Sequence, residues 1–267
     1  MPPRSHRQIE AVTVAVNGKE DTSSIRFDCI LRVLRTVGKK PSMFSTTLSV
    51  VKLARSLAHG SVLFSKYRQN TMISYRGYLG NILAARKARA VDGCVVECGV
   101  WRGGMIAGIA ELLGAARTYY LLDSFEGLPP ATEVDGQTAI AWQKNTSGET
   151  YYDNCSAEPE FAINAMKRSG AKAVNIVKGF FADTIKTVEL DEPVALLRLD
   201  GDWYESTMVC LENFFPKVAP GGIVIIDDYG VWDGCTKAVH DYLSAHKRPE
   251  AVRTNAFGVS YLQKQFA

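Results

Sequence analysis

No stretch of this sequence stays apolar for long. The richest runs, such as residues 223–226, are far shorter than the roughly 20 residues that span a bilayer, so no membrane partner is expected. The opening residues, Met1-Pro2-Pro3-Arg4-Ser5-His6-Arg7, hold no apolar core, and a secretory leader is not expected either. Cysteines at positions 29, 94, 98, 155, 210 and 235 form no C-x-x-C pair. That argues against zinc and for a reduced, cytoplasmic protein, with Cys94 and Cys98 as small core residues. Neither sign of charge dominates. Against 31 Lys and Arg stand 28 Asp and Glu, a net charge of +3, too small and too dispersed for a nucleic-acid partner. There is no Ser-His-Asp arrangement, no P-loop, no HExxH and no internal repeat. His240 and His246 fall in a predicted helix, where surface or packing roles outweigh ligation.

What is present is an ordinary globular composition, 46% hydrophobic and 22% charged over 267 residues. That suffices for one large α/β domain and an appendage. Residues 1–24 are polar and expected to be poorly ordered. Residues 25–37 interleave arginines with apolar residues and read as a short helix, broken by Lys39-Lys40-Pro41. From 46 to 64, apolar pairs (Val50 and Val51, Leu53 and Ala54, Leu57 and Ala58) recur at three- to four-residue spacing, which predicts an amphipathic helix. Such a helix packs on the sheet or on a partner subunit. A membrane-surface role is the lesser alternative, because Lys52 and Arg55 are its only clear basic residues. A further helix is predicted over 75–90, with Ser74 or Thr71 as N-cap. The expected division is an N-terminal extension at 1–69, partly disordered and helical, giving lid or oligomer contacts, and a main domain at 70–267. In the latter, strands at 94–97, 119–122, 174–178, 194–199 and 223–226 alternate with helices at 105–113, 158–167, 206–215 and 235–246. Residues 257–263 read as an edge strand.

The stretch Val95-Val96-Glu97-Cys98-Gly99-Val100-Trp101-Arg102-Gly103-Gly104 joins the first strand to its helix. Its spacing is E-x-G-x-x-x-G-G, with an acid where a dinucleotide fingerprint has its first glycine, which disfavours an NAD-dependent oxidoreductase. A carboxylate there would repel pyrophosphate but suits a ligand with a cationic amino-acid tail. S-adenosylmethionine is such a ligand. The alternative is a tight turn whose glycines serve only positive φ. About 20 residues later, Asp123 ends the second strand, where an acid accepts hydrogen bonds from a ribose diol. It also suits an N-cap before Ser124-Phe125, and both can hold. Gly179-Phe180-Phe181 reads equally as an adenine platform or as two core phenylalanines. Residues 127–155 are long, polar and punctuated by Pro129, Pro130, Gly136 and Gly148. Such a segment is an active-site lid or a disordered insert, and Trp142, Tyr151 and Tyr152 favour the lid.

Asp200, Asp202, Asp227 and Asp228 fall at the carboxyl ends of two strands that should be neighbours, where open α/β sheets bind ligands. Carboxylates gathered at one rim repel unless protons or a cation intervene. A hard divalent cation, magnesium first, is the economical answer. In extended chain Asp200 and Asp202 would face the same way, roughly 6–7 Å apart. One would then bind metal while the other takes a substrate proton. The alternative for the second pair is that one aspartate caps the next helix and the other faces solvent.

These motifs resemble the macrocin O-methyltransferase family, enzymes that use S-adenosylmethionine and magnesium to methylate sugar hydroxyls of macrolide and aminocoumarin antibiotics. The resemblance runs from the Glu97 turn through Asp123-Ser124-Phe125-Glu126-Gly127-Leu128-Pro129 and Gly179-Phe180-Phe181-Ala182-Asp183-Thr184. It continues through Arg198-Leu199-Asp200-Gly201-Asp202-Trp203-Tyr204 to Asp227-Asp228-Tyr229-Gly230, about residues 70–245 in all. It implies a class I methyltransferase: a doubly wound, mostly parallel sheet with an antiparallel edge strand and an N-terminal helical extension. By resemblance, Glu97, Gly99, Val100 and Trp101 line the methionine part of the cofactor, Asp123 and Ser124 the ribose, and Gly179 to Phe181 the adenine. Thr71-Met72-Ile73 closes over it. Asp200, also beside the cofactor, holds magnesium with Asp227 and Asp228, and Asp202 is the general base. The implied acceptor is a sugar or glycoside of a small natural product, and the implied assembly is a homo-oligomer. A catechol-type enzyme acting on a phenolic diol is the alternative, and a non-catalytic α/β binding protein is a weaker one.

Overall fold

The computed structural model describes residues 43–265, with side chains described from residue 51. The readings at 1–24, 25–37 and 39–41, and Cys29, lie outside the described residues. The helices are α1 (Met43–Tyr67), α2 (Tyr75–Ala85), α3 (Gly104–Leu113), α4 (Gly136–Lys144), α5 (Pro159–Ser169), α6 (Phe181–Thr184), α7 (Tyr204–Phe214) and α8 (Asp233–Ala245). The strands are β1 (Cys94–Cys98), β2 (Thr118–Asp123), β3 (Ala173–Lys178), β4 (Val194–Leu199), β5 (Val218–Ile226), β6 (Arg253–Thr254) and β7 (Ser260–Gln263).

The strands form one sheet in the order β3-β2-β1-β4-β5-β7-β6. Strands β1 to β5 run parallel, whereas β7 is antiparallel to β5 and β6 to β7. This is the expected doubly wound sheet, with its order reversing between β1 and β4, where such sheets bind ligands. Every residue of β1 and β4 is buried, because helices cover both faces. On one face Val95, Leu121, Leu196 and Ile225 pack under Leu63, Tyr67, Tyr78, Ile82, Ile106 and Met166. On the other, Val96, Leu197 and Val224 pack under Leu211, Phe214, Val239 and Tyr242. Cys94 and Cys98 are core residues, as expected. The last turns of α1 thus belong to this core, and the compact unit begins at Thr47. Among the described residues no helix is long and apolar enough to cross a membrane.

Helix α2 starts where Ser74 accepts a hydrogen bond from the amide of Gly77 at 3.2 Å, a side-chain cap. It tightens into a 3-10 turn at Arg86–Ala90 instead of continuing as α-helix. Two further expectations need correction, and a third gains detail. The antiparallel edge is β6 rather than the strand expected at 257–263: β7 lies inside it, because Asn255 turns the chain back by accepting from Gly258 and donating to Val259 O at 3.0 Å each. Strand β5 takes in the turn expected at 217–222. Val218 pairs with Val194, the register shifts, and Ile223 pairs with Leu196, the extra residues being absorbed at Gly221, whose φ is +80°. Residues 127–155, read as a lid or a disordered insert, carry secondary structure of their own. Thr132 and Asp135 form a reciprocal capping box that starts a 3-10 turn and leads into α4.

Candidate active site

A cavity of about 510 Å³ opens at the carboxyl ends of β1, β4 and β5. Its floor is the glycine turn. Gly99 has φ +90°, and a Cβ there would stand 1.7 Å from the carbonyl oxygen of Asp200, so only glycine lets the ends of β1 and β4 touch. Gly104 does the same for another wall. A Cβ there would meet Asn70 O at 2.4 Å, and its absence lets the segment carrying Thr71, Met72 and Ile73 lie against the start of α3. Asp123 braces the turn. Its Oδ2 accepts from the amides of Val100 (2.6 Å) and Trp101 (2.7 Å), and its Oδ1 from Phe125 (2.7 Å). Trp101 and Phe125, at φ 48° and 57°, are held in left-handed backbone by these bonds.

Behind the floor lies a buried ionic cluster. Glu97, Arg198 and Ile225 are paired in register across β1, β4 and β5, and Asp200 and Asp227 follow two residues beyond Arg198 and Ile225. Arg198 Nη1 donates to Glu97 Oε1 at 2.9 Å and to Asp200 Oδ2 at 2.8 Å. Its Nη2 stands 3.0 Å from Asp227 Oδ2, an ion-pair distance without hydrogen-bond alignment. Burial opposes the charge on Arg198, but Asp200, Asp227 and Glu97 outweigh it and hold its pKa well above the usual value. Burial pushes Glu97 up to about 8 despite the arginine, and its Oε2 has no partner.

Asp202 departs from expectation. The strand ends at Leu199, so Asp200 and Asp202 do not share an extended face. Trp203 N donates to Gly201 O at 2.6 Å, closing a three-residue turn about Asp202, whose φ is +58°. The amide of Asp202 donates to Asp228 Oδ2 at 3.0 Å, and Trp232 Nε1 donates to Asp202 Oδ1 at 2.7 Å. Desolvation and nearby Asp200 raise its pKa to about 7. Asp228 is lifted by burial and then by Asp202. Asp228 is buried on the Asp202 amide, Asp227 is tied to Asn81 and Arg198, and the next helix has no side-chain cap, so the alternative of a cap and a solvent-facing partner fails.

The three carboxylates expected to hold metal are not drawn together. Among the described residues no three acidic, His or Cys side chains are gathered as a cation site. The oxygens of Asp200 and Asp227 turn to the Arg198 fork, which offers each a charge-assisted contact, and Asp228 turns to a backbone amide. The donor set still fits a hard cation. Arg198 serves Glu97, Asp200 and Asp227, whereas Asp202 and Asp228 are served by neutral donors alone. Asp200, Asp227 and Asp228 thus offer the carboxylate oxygens that a hard cation takes.

The 127–155 segment supplies the opposite wall through Gly127, Leu128, Pro129 and Cys155. Trp142 of α4 packs edge-on against Trp203 at 6.2 Å and Trp232 at 5.9 Å, and those two meet at 5.3 Å. Tyr152, Asp153, Asn154 and Cys155 all have positive φ. This left-handed turn is held by Asn154, which donates to Leu128 O and accepts from Gln143 Nε2. Burial, then Asp202, keeps the Cys155 thiol protonated.

Thus Thr71, Met72, Ile73, Gly99, Val100, Trp101, Asp123, Ser124, Phe180, Phe181, Asp200, Asp202 and Asp227 line one cavity. Phe180 is exposed, whereas Phe181 is half-buried and packs against the core. Glu97, Gly179 and Asp228 do not line it, and Glu97 is screened from it by Arg198. Sequence reasoning missed the roles of Arg198, Asn81 and Trp232. Arg198 stands two residues before Asp200 in an otherwise apolar strand, and Asn81 stands on the apolar face of α2 beside Tyr78, Ile82 and Ala85. A polar side chain in such a place requires a partner.

A family model described as Macrocin-O-methyltransferase (TylF) matches residues 69–263. The chain belongs to that family. It is 40% identical over 162 residues to an 8-demethyl-8-(2,3-dimethoxy-alpha-L-rhamnosyl)-tetracenomycin-C 4'-O-methyltransferase of Streptomyces olivaceus, a match covering 58% of this chain and 59% of the relative. It is 37% identical over 159 residues to a demethyldecarbamoylnovobiocin O-methyltransferase of Streptomyces niveus, covering 57% and 58%. The chain thus spans under two thirds of these curated relatives' length. Among solved structures, the O-methyltransferase NovP matches at TM-score 0.60 and 30% identity over 73% of this chain and 82% of that one. The calicheamicin methyltransferase CalS11, at TM-score 0.54 and 17% identity over 94% and 99%, shares the fold.

Proposed function

We propose that this protein transfers the methyl group of S-adenosylmethionine to a hydroxyl of a sugar on a small natural product, with a divalent cation, magnesium first. The observation that carries the reading is that the glycine turn of β1 and the carboxylates of β4 and β5 meet in one cavity, in a chain of this family. S-adenosylmethionine would supply an electrophilic methyl on a sulfonium. A cation held by Asp200, Asp227 and Asp228 would supply Lewis acidity that lowers the pKa of the acceptor hydroxyl. The turn at Gly99 to Trp101, the Thr71–Ile73 segment and Phe180 with Phe181 bind and orient the cofactor, and Asp123 keeps that turn in shape. Asp202, fixed at Oδ1 by Trp232, keeps Oδ2 for the acceptor and takes the hydroxyl proton as the acceptor oxygen bonds to the methyl carbon and the carbon–sulfur bond breaks. Leu128, Pro129 and Cys155 cover the cavity and exclude water. Rate then comes from positioning and electrostatics, without a covalent intermediate.

The names of the relatives support a sugar acceptor, and a net charge of +3 supports a small molecule over nucleic acid. Five described cysteines are free of disulfides, which suits a cytoplasmic setting. Residues 1–69 would supply lid or homo-oligomer contacts. Thermal unfolding with S-adenosylhomocysteine, with NAD as control, tests the cofactor. Ligand at 100 times its dissociation constant adds about 2.7 kcal/mol, roughly 5–10 °C for a chain this size. A shift with NAD alone would sink the reading. A panel of rhamnosides and catechols, each with and without magnesium, tests the acceptor; turnover on catechols only would replace the sugar with a phenolic diol.

A further inference from the structure

Asn81 is wholly buried on α2, yet its amide serves two charged groups. Its Oδ1 accepts from Arg198 Nε at 3.0 Å, and its Nδ2 donates to Asp227 Oδ1 at 2.7 Å and to Gly77 O at 3.1 Å. The orientation is forced, since a flipped amide would set NH₂ against a guanidinium N–H and oxygen against a carboxylate. Asp227 has two other fixings: its amide donates to Leu199 O, and its Oδ2 faces Arg198 in the poorly aligned ion pair. Oδ1 is therefore aimed by Asn81. Arg198 in turn sets Asp200 through Nη1. A single carboxamide, reached from a helix and not from the sheet, thereby fixes the carboxylates at the ends of both β4 and β5. The same helix is entered from Ile73 through the Ser74 cap, so the wall over the cavity and the carboxylate rim share one support.

We infer that Asn81 is a positioning residue for the strand-end carboxylates: it aims Asp227 directly and Asp200 through Arg198, without itself lining the cavity. This rests on the reading that those carboxylates hold the divalent cation. Groups that orient metal ligands from behind typically govern affinity or activity by 10- to 100-fold. Asn81→Asp is nearly isosteric. It keeps the acceptor for Arg198 and replaces the donor to Asp227 with an oxygen that repels it. Asn81→Ser removes the reach without adding charge, and serves if the first variant does not fold.

The experiment titrates Mn²⁺ into the full-length protein with bound S-adenosylhomocysteine and follows the signal of free Mn²⁺. S-adenosylhomocysteine affinity and the unfolding midpoint are measured in parallel. The expected result is that both variants bind Mn²⁺ about tenfold or more weakly while S-adenosylhomocysteine affinity stays within about twofold. A structural role alone would lower the unfolding midpoint and both affinities together, and that pattern overturns the inference. So does Mn²⁺ binding equal to wild type in a folded variant. Wild-type protein that binds no Mn²⁺ would remove the cation from the proposed function and overturn this inference with it, an outcome distinct from a wild type that binds and variants that bind equally well.

Discussion

The two walls of the cavity are built by opposite means. The wall at β4 and β5 is a network of buried charges, in which Arg198 answers Glu97, Asp200 and Asp227 and Asn81 aligns the set. The wall from 127 to 155 has no strand and no buried ion pair among its described residues. It is held by indole packing, a capping box and a left-handed turn. Charges in a low-dielectric interior are positioned tightly, because a small displacement leaves one unpaired. Aromatic edges slide at small cost. The first wall suits chemistry that must not vary, and the second suits a cover over a variable acceptor. Trp232 joins the two, packing on Trp142 while bonding Asp202.

The comparison is broken most decisively at Asp202. Asp202→Asn should lower turnover roughly 10²–10⁴-fold, the range for a lost general base, with S-adenosylhomocysteine binding retained; unchanged turnover in single-turnover assays removes the base assignment. Next comes the charged wall. Arg198→Met leaves Glu97, Asp200 and Asp227 without a cation and should cost roughly 3–5 kcal/mol of stability in urea unfolding. A loss below about 1 kcal/mol would mean that the network is not the rigid wall described here. The aromatic wall should respond differently. Trp142→Ala loses edge contacts of about 0.5–1.5 kcal/mol each. It should raise the acceptor KM and speed proteolysis within 127–155, while the global unfolding midpoint moves little. Equal cleavage rates would show that the indoles do not hold this segment. The smallest effect is expected at the junction. Trp232→Phe keeps a ring but removes the bond to Asp202, worth about 1.5 kcal/mol, so kcat should fall about tenfold with cofactor affinity unchanged. A change in KM alone would assign Trp232 to the acceptor wall only.

Much of the fold was legible because local rules and the global answer agree. Alternating apolar strands and amphipathic helices, with glycines at 99, 103 and 104, required a doubly wound sheet, and strand-end acids pointed to its carboxyl rim. The misreadings came from places where non-local contacts prevailed. The turn before Ile223 is absorbed into β5 because Val194 offers Val218 a ladder partner. How residues 127–155 are ordered was not legible, because Trp142 packs on Trp203 and Trp232, more than 50 residues away. Asp123 lines the cavity and also accepts from the amide of Phe125, the cap allowed beside the ribose role, but its bonds to the amides of Val100 and Trp101 lie across 23 and 22 positions.

By itself the sequence determined the family, the sheet and the set of acids at its rim, since these follow from residue type, period and spacing along the chain. Which acid pairs with which donor was decided only in three dimensions. Arg198 reaches Glu97 across 101 positions and Asn81 across 117. Charge balance in a buried site is a property of what meets there, and sequence separation carries no information about that meeting.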